Sequence, residues 1–146
     1  MTLIDVDGRS WTLSVLDYEF PRAGPRSDKW DRNWVRVRLR WEDGTDSWER
    51  SDPALTTWDV RELVRWLRGH LIGTIEFLEP SLAFERVERT SLAMLLDHGL
   101  RPPASAQWTD AGDTSAPVKV EFHSPPSDFV AAALSLAATA KEYPPR

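Results

Sequence analysis

Three histidines, His70, His98 and His123, are the side chains in this sequence best suited to hold a transition metal or to move a proton at neutral pH. No two of them stand at a spacing that would put both on one helix face, and the chain has no cysteine to complete a zinc set. Serine chemistry has no better footing, because no G-x-S-x-G elbow is present. The pair Asp5 and Asp7 has the look of a cation site, but Asp7 precedes Gly8 and is accounted for by a turn. No glycine-rich loop of the GxGxxG or GxxxxGK type offers backbone amides to a phosphate. Convergence of two distant carboxylates is open to any chain with 23 acids, so it discriminates nothing. The sequence therefore predicts no catalytic residue, no metal ligand and no cofactor.

Two patterns point to binding instead. Arg36, Arg38 and Arg40 alternate beside Trp34, placing cations and an aromatic ring on one strand face, as a nucleic-acid surface would. The same pattern serves as the wet face of a sheet whose arginines carry ion pairs, and the acidic balance of the chain favours that reading, with no nucleic acid as partner. The eight tryptophans are the second pattern. Trp30, Trp34, Trp48, Trp58, Trp66 and Trp108 exceed what one small core needs. Any that stay half exposed beside carboxylates would anchor a protein interface; the alternative is that all pack inside.

The elements that carry these residues read as strands with two helices. Asp7-Gly8 predicts a hairpin with a two-residue loop that pairs Ile4 with Trp11. Trp11, Leu13 and Val15 alternate, then Leu16, Tyr18 and Phe20 alternate in opposite phase, which predicts a β-bulge near Val15-Leu16. A polar stretch over residues 21–29 separates them from the clearest strand, Trp34 to Trp41. Asp43-Gly44 predicts a second two-residue hairpin, with Leu39 facing Trp48 and Arg38 facing Glu49. Thr56 and Asp59 form a capping box for a helix whose Val60, Leu63, Val64, Leu67 and Leu71 share a stripe, with Trp58 and Trp66 off it and Gly69 as the stop. Strands follow at about 74–79, 82–89 and 91–97, the first turn between them being Glu79-Pro80-Ser81. Residues 99–117 read as a long loop rich in small residues and proline, and Val118, Val120 and Phe122 as a last strand. Ser127 is positioned to cap a second helix from about Asp128 to Lys141, with Phe129, Ala133, Leu136 and Ala140 packing on a sheet. The fold class is α+β: a mainly antiparallel sheet of about 6–8 strands packed with two helices, residues 1–146 forming a single domain.

Bulk composition bounds the remaining choices. At 146 residues the chain can bury roughly 68–70% of its unfolded surface and needs no staple. The absence of cysteine fits a reducing compartment. No signal peptide opens the sequence, and no apolar run approaches the roughly 18 residues of a membrane span, so a cytoplasmic protein with no membrane partner is expected. The net charge is −5, and arginine outnumbers lysine fifteen to three, favouring bidentate pairing with carboxylates.

Two stretches resemble a known family. They are Asp31-Arg32-Asn33-Trp34-Val35-Arg36-Val37, shortly after Tyr18-Glu19-Phe20-Pro21, and Asp52-Pro53-Ala54-Leu55-Thr56-Thr57-Trp58-Asp59-Val60-Arg61-Glu62-Leu63. With Phe77-Leu78-Glu79-Pro80, Leu82 and Phe84 downstream, and Glu142-Tyr143-Pro144-Pro145-Arg146 at the end, they are similar to the WapI-type immunity proteins of bacterial contact-dependent toxin systems. Thr56-Thr57 and Pro102-Pro103 depart from the family pattern, and the loop over 104–117 is this chain's own. The resemblance implies a non-enzymatic protein that binds a cognate toxin, often a nuclease, and blocks it; an acidic immunity protein would suit a basic nuclease domain. The rival expectations are a small ligand-binding or enzymatic domain built from scattered Asp, Glu and Arg residues, with a deep polar pocket, and a structural homodimer joined through exposed tryptophans.

Overall fold

The alternating segments form strands, and the computed structural model arranges them as two four-stranded antiparallel sheets accompanied by two helices. It describes residues 1–69, 71–104 and 116–146. The first sheet is a meander of β1 (Thr2–Ile4), β2 (Ser10–Tyr18), β3 (Trp34–Glu42) and β4 (Ser47–Thr56). The second is a meander of β5 (Gly73–Glu76), β6 (Leu82–Arg86), β7 (Ser91–Leu96) and β8 (Val118–His123). Helix α1 (Thr57–Arg68) joins the sheets and α2 (Pro126–Glu142) follows the last strand. The α+β class is as the sequence predicts, but the strands divide between two sheets instead of one. Short turns pair each strand with its sequence neighbour, and α1 lifts the chain off the first sheet, so the strands after it pair among themselves.

Both predicted hairpins form with different registers. In the first, Leu3 faces Trp11 and Ile4 faces Ser10. The buried carboxylate of Asp5 accepts from the amides of Asp7 (2.9 Å) and Arg9 (3.0 Å) and from Arg9 Nε (2.7 Å). This holds a three-residue tip, Val6-Asp7-Gly8, in which only Gly8 takes a positive φ, +82°. The slip of one residue turns Leu3 inward and leaves Ile4 exposed. In the second hairpin Glu42 faces Ser47 and Trp41 faces Trp48. Asp43 precedes the tip instead of forming it: its carboxylate accepts from the amides of Asp46 (2.7 Å) and Thr45 (3.0 Å). Those amide bonds hold the Asp43 carboxyl below its ordinary pKa. Gly44, at φ +87°, becomes the first tip residue, as a type II′ turn requires. The register moves by two, so every side chain keeps its face; Leu39 now opposes Arg50, and Arg38 reaches Glu49 only diagonally, at 3.8 Å.

The predicted bulge is present at Leu16, between the pairs Val15–Val37 and Asp17–Arg36. A second lies in β4, where Pro53-Ala54 stand opposite Arg36 alone; a bulge tolerates the missing proline amide. Trp11 and Trp41 from the first sheet meet Phe84 and Phe122 from the second, with ring centroids 5.3 to 5.8 Å apart. This aromatic layer is the centre of the core.

Helix α1 starts as its capping box predicts, with Thr56 accepting from the Asp59 amide and Asp59 accepting from the Thr56 amide. Val60, Leu63, Val64 and Leu67 are buried, whereas Leu71 lies past the helix end and is exposed. Helix α2 begins earlier than expected. Pro126, whose fixed φ suits the first helical position, opens it after Pro125, so Ser127 lies inside the first turn and does not cap. Its buried residues are those predicted together with Ala132, but the small side chains bring it chiefly against α1 and only secondarily onto β1 and β2.

The expected loop over 99–117 opens with a 3-10 turn at His98–Leu100, and residues 105–115 lie outside the described residues. That turn pins the sheets together through Asp52. Ser81 Oγ, just before β6, donates to Asp52 Oδ2 (2.9 Å), while His98, at φ +44°, turns Gly99 onto the same carboxylate. A Cβ on Gly99 would stand 2.5 Å from Asp52 Cγ. Gly99→Ala is therefore expected to destabilise the protein by about 1–3 kcal/mol. In a double-mutant cycle, most of that loss should vanish in an Asp52→Ala background, as measured by urea unfolding.

Candidate functional site

The structure disposes of most residues that looked chemically able. Asp5 serves a turn, as described above. His98 and His123 are exposed on different elements and His70 lies outside the described residues; among those residues no three His, Asp or Glu side chains gather as a metal site would need. Each arginine of the β3 face has a carboxylate: Arg36 meets Glu19 at 2.6 Å, Arg38 meets Glu49, and Arg40 meets Glu42. Four hollows among the described residues, including one beside Phe20 and one beside Glu85, are open to solvent. Trp11, Trp41, Trp48 and Trp66 are buried, Trp34 and Trp58 half-buried, and Trp108 outside the described residues. Trp30 alone among the described tryptophans is exposed, at 42%.

Trp30 sits on the β2–β3 connection, and Asn33 decides how that connection is held. The fully buried Asn33 side chain donates to the carbonyls of Lys29 (2.6 Å) and Arg146 (3.2 Å). It accepts from Thr57 Oγ1 (2.9 Å) and from the Arg146 amide (3.0 Å). One carboxamide thus ties the loop to the first residue of α1 and to the far end of the sequence. Around it, Tyr18 OH donates to Pro144 O (2.5 Å), Tyr143 OH donates to Leu16 O (2.6 Å), and the Arg146 guanidinium stacks over the Tyr18 ring. Burial raises the Tyr143 phenol above its ordinary pKa, with nearby Glu142 adding to the effect, so its donor proton is retained.

On the outside of this frame lies an aromatic corner. The Trp30 ring meets Trp58, from the first turn of α1, edge to face at 5.2 Å, and Lys29 covers part of it. Its backbone amide donates to the Asp28 carboxylate (2.7 Å). Phe20 is 46% exposed on the same connection. It lines an open hollow of about 360 Å³ with Pro21, Ala23, Glu19 and Asp31. An exposed ring such as Trp30, beside a carboxylate and on a connection that the Asn33 side chain holds at Lys29, is the kind of side chain at which interface energy concentrates.

The four segments that converge here, around Tyr18, Asn33, Thr57 and Tyr143, are widely separated in sequence, and the chain matches the model of the immunity protein WapI-like family over residues 2–144. The chain belongs to this family. No curated protein and no solved structure matches it. Membership supports an immunity function, implies a protein toxin as the partner, and suggests a role that is not enzymatic. No helix among the described residues is long and apolar enough to cross a membrane. For this WapI-like chain, the motif residues are explained by the frame they build: Asn33 by its four bonds, Thr57 and Tyr143 by one each, Asp52 by the link between sheets.

A second surface was not legible in the sequence. On the outer face of the second sheet, Glu85, Ala93 and Glu121 stand in one row across β6, β7 and β8. The small residues of β7 leave a groove of about 220 Å³ walled by Glu85, Glu88, Glu121 and His123. Lys119 bridges Glu85 (2.9 Å) and Glu121 (3.1 Å), and these carboxylates hold its ammonium above the ordinary lysine pKa. The acids are far apart in the chain, so only strand register reveals the row.

The frame and the corner separate in a stability measurement. Asn33→Ala should lower the unfolding free energy by about 3 kcal/mol, because it strands buried partners. Trp30→Ala should cost about 1 kcal/mol, against about 3–5 kcal/mol for Trp11→Ala in the core. Denaturant titration of the three variants checks both.

Proposed function

We propose that this chain is an immunity protein that neutralises a cognate bacterial toxin by direct, stoichiometric binding, with Trp30 and Phe20 as the anchoring side chains. The observation that carries the reading is the exposure of Trp30 and Phe20 on the β2–β3 connection, which the Asn33 side chain ties at Lys29 to the start of α1. A rigid aromatic patch loses little conformational freedom when a partner covers it, so most of its contact energy remains as affinity. Family membership supplies the class of partner. The net charge of −5 and the acidic groove of the second sheet suit a basic toxin, such as a nuclease domain, whose encounter they would accelerate.

The direct experiment expresses the chain in a bacterial host together with a candidate cognate toxin domain. Growth arrest by the toxin should be relieved by the native chain, and the purified pair should form a one-to-one complex. Replacing both Trp30 and Phe20 by alanine should weaken that complex by about 2–4 kcal/mol, roughly thirty- to a thousand-fold in Kd. Affinity should fall as salt rises, as for any steered pair of opposite charge. Protection without a complex would point to a catalytic antidote and sink the proposal, as would a complex indifferent to both substitutions.

A further inference from the structure

The seam between α1 and α2 belongs to neither surface described above. The two helices run antiparallel. At one end the buried guanidinium of Arg86 lies between Trp66, in the last turn of α1, and Phe129, in the first turn of α2, at 4.9 and 4.8 Å from the rings. Toward the other end Arg61, in the second turn of α1, and Lys141, in the last turn of α2, line one open hollow of about 150 Å³ with Val64, Ala137 and Ala140. The floor of this hollow is apolar and its rims are cationic.

The cations continue along α1. Arg61, Arg65 and Arg68 recur at i, i+4 and i+7 and are exposed, so they form one stripe about 10 Å long beside the hollow. Each arginine of β3 has a carboxylate, but none of these three, nor Lys141, pairs with one among the described residues. Helix polarity suits Arg65 and Arg68 near the end of α1 and Lys141 near the end of α2, yet gives no reason for Arg61. The acids on the outer sides of these helices, Glu62, Asp128 and Glu142, lie about a quarter-turn or more round the axis from the hollow. In a chain of net charge −5, this is a segregated basic strip. The apolar part comes from α2: Val130, Leu134 and Ala137 share the line that ends at Lys141, and Leu134 is 54% exposed.

These features select among occupants. A basic toxin would be repelled here. A bilayer is flat and would leave the hollow unfilled, whereas a helix is a rod that fits a seam between two others. A second copy offers no acidic helix, since α1 carries the arginines and the only acids of α2 stand near its ends. An apolar floor between cationic rims matches a helix with one apolar face flanked by carboxylates.

We propose that the α1–α2 seam is a docking groove for an acidic amphipathic helix of a partner protein, its carboxylates meeting the arginine stripe and Lys141 and its apolar side chains seated over Ala137 and Leu134. The groove goes beyond the toxin-binding reading, and its test uses the isolated chain, so either can fail without the other.

The probe is a stapled, fluorophore-labelled helical peptide of about 14 residues, with leucines along one face and glutamates on both sides of them. Anisotropy with the native chain should show saturable one-to-one binding, with Kd on the order of 1–100 μM at about 50 mM salt, weakening as salt rises. Arg61→Gln, Arg65→Gln and Arg68→Gln together should weaken it about tenfold, and Leu134→Ala about fivefold. In the native chain the peptide should shift the amide resonances along the facing sides of α1 and α2, a readout that requires no variant to fold. Absence of saturable binding, or binding indifferent to the triple substitution, would overturn the groove. Equal affinity for a peptide with serine in place of leucine would reduce it to charge attraction and overturn it too. Phosphatidylglycerol vesicles shifting these amides where the peptide does not would assign the face to a membrane. Salt-sensitive dimerisation abolished by the triple substitution would assign it to a second copy. Either result would overturn the proposal.

Discussion

The Asn33 carboxamide is the contact on which much of the remaining architecture depends. It lies just before β3 and bonds to the β2–β3 connection at Lys29, to the first residue of α1 and to the C-terminal Arg146. A buried amide whose donors and acceptor are all satisfied rigidifies the segments it touches, because releasing any one of them strands the others. The consequence extends past the polar atoms. The β2–β3 connection, which by composition should move, is presented on a fixed backbone, and its rings are displayed at a defined place.

The two sheets are joined by different physics. Their centre is an aromatic layer of Trp11, Trp41, Phe84 and Phe122, a non-directional contact that rewards burial more than any particular pairing. Their edge is fixed by Asp52, which needs the Ser81 hydroxyl on one side and a residue without Cβ on the other. The first contact holds the sheets together and the second fixes their alignment. The outer faces then differ in charge. The arginines of β3 are matched by carboxylates, whereas on the second sheet Lys119 serves two acids and Glu88 adds a further negative charge.

Functionally, the molecule divides into a conserving part and a displaying part. Residues of the family motifs are absorbed by caps, turns and buried hydrogen bonds, which is why membership specifies a scaffold in detail. In the proposed reading, partner recognition falls to exposed side chains such as Phe20 and Trp30. The same division explains why a search for catalytic constellations in the sequence returns little: binding of this kind is carried by exposure and shape, properties that have no sequence motif.

The elements themselves were legible from local rules. The helix over Thr57–Arg68, its capping box, the Leu16 bulge and the strand from Trp34 follow from periodicity and short-range hydrogen bonding, which operate within a few residues. The hairpin registers were not, because Asp5 and Asp43 use their carboxylates to recruit turn amides, and that competition between adjacent loop placements is decided by one side-chain bond. Residue types alone also left open which tryptophans were core. Trp11 and Trp30 are chemically identical, and only the crossing of two sheets buries one, while the anchored loop exposes the other. The sequence by itself determined the strands, helices, caps and overall charge, since these depend on neighbours along the chain. Tertiary structure decided the division into two sheets, the junction at Asn33, the acidic row of Glu85 and Glu121, and the burial of Arg86, because each depends on segments that meet only after the chain has closed on itself.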